Sequence, residues 1–156
     1  MKTNFETALN RDEFPEYFRG SGIYFKGDPD WGTQMHIRNW AGLCSFIKTH
    51  KTPDLVLNNA FSKYLDTVTL SLKDAEDLLE NIGCYYYMRK KVPALSVNGF
   101  DLILNLPSAQ RRKISEIIGF LRQELARSNN TQGIERFNQD MKKLIGDGGP
   151  KDIENL

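Results

Sequence analysis

The sequence predicts a mainly α fold: a single-domain bundle of five or six helices with room for one small β-hairpin, and α+β as the alternative. Apolar residues recur at spacings of three and four along most of the chain, and helix-starting residues such as Ser71 and Pro107 precede several of these runs. With 156 residues, of which 40% are hydrophobic, the chain is long enough for one cored domain and short for two. We therefore expect a globular domain over residues 1–145 and a flexible C-terminal tail over 146–156.

The N-terminal third predicts short helices with one extended stretch between them. Aromatic and apolar residues before Gly20 suit one or two short helices, and Ile23 to Phe25 fits a short strand. Thr33 can cap a helix that runs to about Lys48, and Pro53 occupies a typical first-turn position for the next one.

The next helix is predicted to begin at Ser71, with Asp74 three residues later in a near-capping-box arrangement. Its inward face consists of residues at helical spacing: Leu72, Ala75, Leu78, Leu79, Ile82 and Tyr86. Pro93 stops this helix and Asn98-Gly99 predicts a turn. Residues 100–104 then fit either a strand or a helical turn, which leaves the hairpin open.

Two further amphipathic helices are predicted in the C-terminal third. The first runs from Pro107 to Arg127 and should bury one apolar stripe, made of Ile114, Ile117, Ile118, Leu121 and Leu125. A polar break over 128–132 separates it from the second helix, which carries Ile134, Phe137, Met141, Leu144 and Ile145. The glycine-rich run 146–150 ends that helix and suggests the flexible tail.

Charge and compartment signals are weak. The 21 Lys and Arg residues nearly balance the 20 Asp and Glu residues, so the overall field does not favour nucleic acid or a membrane. Residues 1–10 lack the apolar core of a signal peptide, and no apolar run reaches the roughly 20 residues of a membrane span. Cys44 and Cys84 fit lone buried thiols, which are typical of a reducing compartment. Together with the missing signal peptide and membrane span, they predict a cytoplasmic protein that does not associate with membranes.

The strongest candidate site is the start of the helix after Pro107, where Arg111, Arg112 and Lys113 fall within the first two turns. Free backbone N–H groups make this end of a helix electropositive, and cations add to that field. The pattern is typical of an anion- or partner-binding site, although three solvated side chains at a helix end would fit it as well.

A second basic cluster, Arg89, Lys90 and Lys91, follows three consecutive tyrosines. Rings beside cations are what single-stranded nucleic acid needs, because bases stack and phosphates pair. Successive helical residues point about 100° apart, however, so at least one ring should be buried. Tyr85 and Tyr87 are the aromatic contacts that we expect at the surface, together with Trp31 near the N-terminus.

No catalytic, metal-binding or cofactor-binding pattern is found in the sequence. His36 and His50 would lie about 21 Å apart on a helix, too far to share a metal ion. Asp28 and Asp30 flank a proline in a turn and lack the further ligands of a calcium loop.

We therefore expect a non-enzymatic interaction protein, a regulator, inhibitor or assembly subunit, with a protein partner that the sequence does not identify. Its predicted contact residues are the Arg111–Lys113 cluster, Tyr85, Tyr87 and Trp31. The first alternative is a nucleic-acid-binding accessory protein that contacts phosphates through both basic clusters. The second is a small enzyme whose site is assembled from distant residues such as Glu13, Asp28, Asp30, His36 and Arg38.

Overall fold

The structure, a computed structural model, describes residues 58, 61–62, 64–91 and 99–156. Three α-helices, α1 (Leu72–Lys91), α2 (Ser108–Arg127) and α3 (Thr131–Gly146), are followed by a 3-10 helix, Ile153–Asn155. Residues 61–62 and 64–67 are also helical, within the helix predicted to follow Pro53, and the described residues include no strand. The mainly α prediction is confirmed for this part of the chain. The elements predicted before residue 58 lie outside it, so the predicted number of helices stays a prediction.

Helix α1 begins where the capping signal predicts. The Ser71 hydroxyl accepts the backbone N–H of Asp74 at 3.3 Å, which satisfies one of the otherwise unpaired N–H groups of the first turn. The Asp74 carboxylate accepts the backbone N–H of Thr69 at 2.8 Å and its hydroxyl at 2.7 Å. Asp74 is therefore buried with its charge hydrogen-bonded, and it anchors the residues that lead into the helix.

The predicted inward face of α1 is correct except at its first position. Ala75, Leu78, Leu79, Ile82 and Tyr86 are buried, whereas Leu72 is 44% exposed. A helical side chain points back toward the N-terminus, so Leu72 projects beyond the end of the helix rather than over a packed turn.

Residues 101–106 form a helical turn, so the strand that the sequence allowed over residues 100–104 is not formed. The N–H of Asn105 bonds the carbonyl of Asp101 at 3.0 Å, and the N–H of Leu106 bonds that of Ile103 at 3.1 Å. Leu102, Ile103 and Leu106 are buried. Their spacing of one and four residues suits one side of a helical turn, whereas a strand would alternate.

Helices α2 and α3 form a short-linked pair that packs on α1. All five residues of the predicted α2 stripe are buried. At the start of α3, the Asn130 side chain accepts the N–H of Gly133 at 2.9 Å, and Phe137 and Leu144 enter the core. The core therefore lies where the three helices meet.

Residues 147–156, predicted to be part of a flexible tail, instead fold back onto α2. Ile153 is 1% exposed, the Ser115 hydroxyl donates to the Glu154 carbonyl, and Arg122 pairs with the Glu154 carboxylate at 2.8 Å. Gly148 takes a φ of 93°, a left-handed conformation that a glycine adopts without steric cost. The sequence conceals this packing because two apolar residues, Ile153 and Leu156, after a glycine-rich run are too few to establish a periodicity.

Candidate functional site

A groove of about 790 Å³ runs between α1 and α3, and α2 forms its base. The base consists of apolar side chains that also belong to the core: Leu79, Leu121, Leu125, Phe137 and Leu144. These five side chains are between 1% and 5% exposed, so most of their surface is packed in the core. Above it, both sides of the groove carry polar and charged residues.

Six residues of α1 line the groove, and four of them form a stripe along the helix, which we call the α1 stripe: Glu76, Glu80, Gly83 and Tyr87. Their spacings of four, three and four place them on one face of the helix. The stripe has an acidic half at Glu76 and Glu80, and a half made of a glycine and a tyrosine. Tyr87 is 41% exposed, so its ring is accessible at this end of the groove.

Gly83 leaves a gap in the α1 stripe. A Cβ atom built on it would have no neighbour within 4 Å. Glycine costs about 1 kcal/mol relative to alanine in a helix interior, and no packing inside the described part of the chain requires its small size here. The space over Gly83 therefore opens to the groove.

The α3 side has mixed charge. Arg136, Asp140, Lys143 and Asp147 succeed one another at spacings of three and four residues. Partial burial raises the pKa of the Asp140 carboxyl, and the positive charges of Lys143 and Arg136 oppose that rise. Cations and carboxylates thus compensate one another along α3.

One residue of the basic cluster at the end of α1, Arg89, is bound within the fold. Arg89 pairs with Asp101 at 2.9 Å and lies 5.9 Å from the centre of the Tyr86 ring. The Tyr86 hydroxyl donates to the same carboxylate at 2.6 Å, and the N–H of Leu104 donates to it at 3.0 Å. We call these four residues the Asp101 cluster. It joins the end of α1 to the turn before α2, and burial together with the Asp101 hydrogen bond raises the pKa of the Tyr86 phenol.

Lys90, the next residue in this basic cluster, lies at the surface. It is 57% exposed and pairs with Asp147 at 3.4 Å, beside one end of the groove. An ion pair this exposed contributes about 0–1 kcal/mol.

The three residues of the second basic cluster, Arg111–Lys113, differ in exposure and contacts. The Lys113 ammonium donates to the Leu65 carbonyl at 2.5 Å, which holds α2 to the preceding helical residues. Arg112 is exposed. Arg111 is half-buried, and its Nε has no hydrogen-bond partner among the described residues. The first turn of α2 contains no acidic residue, and Pro107 provides no side-chain cap.

Tyr85 and Tyr87, two of the predicted aromatic contacts, also differ in exposure. Tyr85 is fully buried and meets the Tyr86 ring edge-on, with the ring centres 5.1 Å apart. It therefore does not form the surface contact predicted for it, whereas Tyr87 lies at the surface and in the groove. Trp31 and the side chain of Lys91 lie outside the described residues, as do Glu13, Asp28, Asp30, His36 and Arg38, which the enzyme alternative requires.

The groove was not predicted from the sequence, although one signal for it was present. Glu76 and Glu80 stand four residues apart on the predicted α1 helix, along one edge of its apolar face. Such a pair is common on solvated helix surfaces, and only the position of α3 makes it one side of a groove.

No family model matches the chain, and no curated protein or solved structure matches it significantly. Within the described part, no helix is both long enough and apolar enough to cross a membrane. The same residues contain no group of three or more His, Cys, Asp or Glu side chains that could hold a metal ion.

Proposed function

We propose that this protein is a non-enzymatic interaction module that binds one helix of a protein partner in the groove between α1 and α3. The observation that carries the proposal is the groove itself, with its apolar base and charged sides. Such a combination is typical of grooves that receive an amphipathic helix, because apolar contact provides affinity and the polar rim provides specificity.

The dimensions of the groove support a helical occupant. Its α1 side extends from Glu76 to Tyr87, about 16 Å at 1.5 Å per residue, and its α3 side from Gly133 to Asp147, about 21 Å. Three to four turns of helix span the same length. The residues on both sides recur at three and four positions, so they form ridges of the kind between which a neighbouring helix packs.

The partner contacts proposed from the structure differ from those that the sequence predicts. Arg89 and Lys113 bind groups of the protein itself, so we assign them to the fold. Of the two predicted aromatic contacts that the structure describes, Tyr87 lines the groove and Tyr85 does not.

Nucleic-acid binding remains the alternative, carried by Arg111 and Arg112 at the start of α2. We rank it second because Arg89 and Lys90 are paired with carboxylates, which competes with phosphate. It predicts that labelled oligonucleotides bind at about 50 mM salt, and that changing both arginines to alanine lowers the salt slope by about one unit for each lost contact.

The experiment that tests the proposed function blocks the groove without disturbing the core. In Gly83→Trp the indole would enter the space over Gly83. Gly119→Trp is the matched control, because Gly119 is also a mid-helix glycine with nothing within 4 Å of an added Cβ, but it does not line the groove.

Full-length wild type and both variants would be used as baits, and the bound proteins quantified by mass spectrometry. We expect at least one protein to be retained by the wild type and by Gly119→Trp and lost with Gly83→Trp. If the two variants retain the same proteins as the wild type, the groove is not the binding site and the proposal fails.

A further inference from the structure

We infer that residues 150–156 form an exchangeable strap: they bind α2 as a tethered ligand, and the strap of a second copy of this chain can occupy the same site. This inference is independent of the proposed function, because no residue of the strap lines the groove. Three observations carry it: the contacts that hold the strap, the site that receives it on α2, and the exposed stretch of chain that leads to it.

The strap is held mainly by two adjacent residues. Ile153 is 1% exposed and belongs to the hydrophobic core, and Leu156 packs against that core while part of its surface stays exposed. The backbone carbonyl of Glu154 accepts a hydrogen bond from the Ser115 hydroxyl, and its carboxylate lies 2.8 Å from the Arg122 guanidinium. In the described part of the chain, no backbone–backbone hydrogen bond joins the strap to a helix. The strap is therefore attached through side-chain contacts, as a bound peptide is.

The site that receives the strap lies on one face of α2. Ser115 and Arg122 are seven residues apart on this helix, about two turns, so they share a face. Gly119 lies between them and has no side chain, which lets another chain approach the helix backbone closely. The Arg122 guanidinium also lies 5.6 Å from the centre of the Phe137 ring, a contact in which the strap takes no part. A strap from another copy would therefore meet the same hydroxyl and the same cation.

The fit between the strap and this site is incomplete. The Oε1 atom of Glu154 is buried, yet it has no hydrogen-bond partner among the described residues, so Arg122 pairs with its charge without satisfying it as an acceptor. A buried acceptor without a hydrogen bond reduces the free energy gained on docking, and ordering the strap costs conformational entropy. Because the gain comes from few contacts, the strap should detach more readily than the helices unfold.

An exposed stretch separates the strap's anchor from α3. Gly149 is buried, its N–H donates to the Leu144 carbonyl at 2.9 Å, and an added Cβ would overlap the Leu144 side chain. Lys151 and Asp152, which follow, are exposed, so the chain can change direction there while Gly149 stays against α3. The four residues from Gly149 to Ile153 reach at most about 14 Å. A second copy must therefore present its α2 beside the first, which suits a two-fold dimer in which each copy gives and receives one strap.

Concentration decides between the two arrangements, because exchange preserves every contact of the strap. A segment on a short tether has an effective concentration of about 1 mM at its own site. The wild type should therefore be a monomer at micromolar concentration and form a dimer as its concentration approaches about 1 mM.

A charge exchange between Arg122 and Glu154 tests the inference in the full-length chain. Arg122→Glu and Glu154→Arg each place like charges between the strap and its own site, and also between two copies of the same variant. In a 1:1 mixture both sites of a heterodimer contain opposite charges, but only when the straps are exchanged. By sedimentation velocity and native mass spectrometry, we expect the mixture to dimerise with a Kd at least tenfold below that of either variant alone.

Two controls separate the strap from any other contact. Arg122→Glu/Glu154→Arg in one chain restores opposite charges within each copy and should behave like the wild type. Ile153→Asp, added to both single variants, removes the apolar anchor and should abolish the heterodimer. A mixture that dimerises no more tightly than its separate variants, or that still dimerises with Ile153→Asp in both, would overturn the inference.

A measurement on the wild type does not depend on the folding of the charge variants. At about 1 mM, the wild type should sediment partly as a dimer, and Ile153→Asp should sediment as a monomer with unchanged helix content by circular dichroism. A wild type that stays monomeric at this concentration contradicts strap exchange.

Discussion

The charged residues of the Asp101 cluster pair with one another within the fold, whereas those of the α1 stripe line a groove. Arg89 and Asp101 neutralise each other within the fold, together with a tyrosine hydroxyl and a backbone N–H. Glu76 and Glu80 line a groove whose base is apolar. Charge density in the sequence therefore does not locate a binding surface; the position of each charge relative to the rest of the fold does.

The sharpest way to test this contrast is to remove the carboxylate at the centre of the Asp101 cluster. Asp101→Ala leaves Arg89, the Tyr86 hydroxyl and the Leu104 N–H without this acceptor. We expect the free energy of unfolding to fall by about 2–4 kcal/mol, measured by urea denaturation.

Asp147→Ala is the control, because its partner Lys90 is mostly exposed; we expect a loss below about 1 kcal/mol. If the two substitutions cost the same, the Asp101 cluster is no more important for stability than a surface ion pair.

A smaller effect is expected at the basic residue that is turned inward. Lys113→Met keeps the aliphatic part of the side chain and removes the hydrogen bond to the Leu65 carbonyl. That carbonyl also accepts the N–H of Val68 at 3.2 Å, so it keeps a partner. We expect a loss of about 1 kcal/mol in urea denaturation. Arg112→Met, at an exposed position of the same cluster, should change stability by less than about 0.5 kcal/mol.

The gap in the α1 stripe provides a test with the opposite sign. Gly83→Ala and Gly119→Ala should each stabilise the protein by up to about 1 kcal/mol, because alanine favours the helix and its Cβ meets no described atom at either site. Gly133→Ala should destabilise it, since its Cβ would lie 2.8 Å from side-chain atoms of both Asn130 and Leu125. Thermal unfolding followed by circular dichroism distinguishes these results, and a destabilised Gly83→Ala would mean that the space over Gly83 is not open.

The smallest effect concerns the pH dependence of Asp140. Its pKa is raised in the folded state, so the folded protein favours the protonated carboxyl. Relative to Asp140→Asn, the wild type should lose stability as the pH rises from the ordinary value of 3.8 through the raised pKa, and the difference should then stay constant. Melting temperatures of both proteins between pH 3 and 7 would reveal this; a wild type stabilised over that range would contradict it.

The helices could be predicted because their signals are local. The α2 stripe repeats at three and four residues and is buried as expected, and Ser71 caps α1 as its position predicts. Of the two tyrosines predicted to contact a partner, Tyr87 is 41% exposed and Tyr85 is buried. Helix α1 packs on both α2 and α3, so its buried face is wider than the single stripe that periodicity detects.

The candidate site could not be predicted, because it depends on how separate elements pack. In the sequence, Gly83 only lowers the helix propensity of the α1 segment. In the structure, it lines the groove between α1 and α3 and leaves a space there. Lys113 resembled its two neighbours, and only its position next to the Leu65 carbonyl distinguishes it. Ile153 has only Leu156 as an apolar residue near it in sequence, and its 3-10 helix packs on α2.

The Asp101 cluster couples the ionisation of the Tyr86 phenol at alkaline pH to unfolding. The pKa of the Tyr86 phenol lies above its ordinary value of 10.0, chiefly because of burial, so the folded state disfavours tyrosinate. The stability that Tyr86 contributes is present below pH 10 and declines as the pH rises above it. In an alkaline titration, tyrosinate absorbance from Tyr86 should therefore appear only as the helices melt, and the difference between the wild type and Tyr86→Phe isolates it from the other five tyrosines.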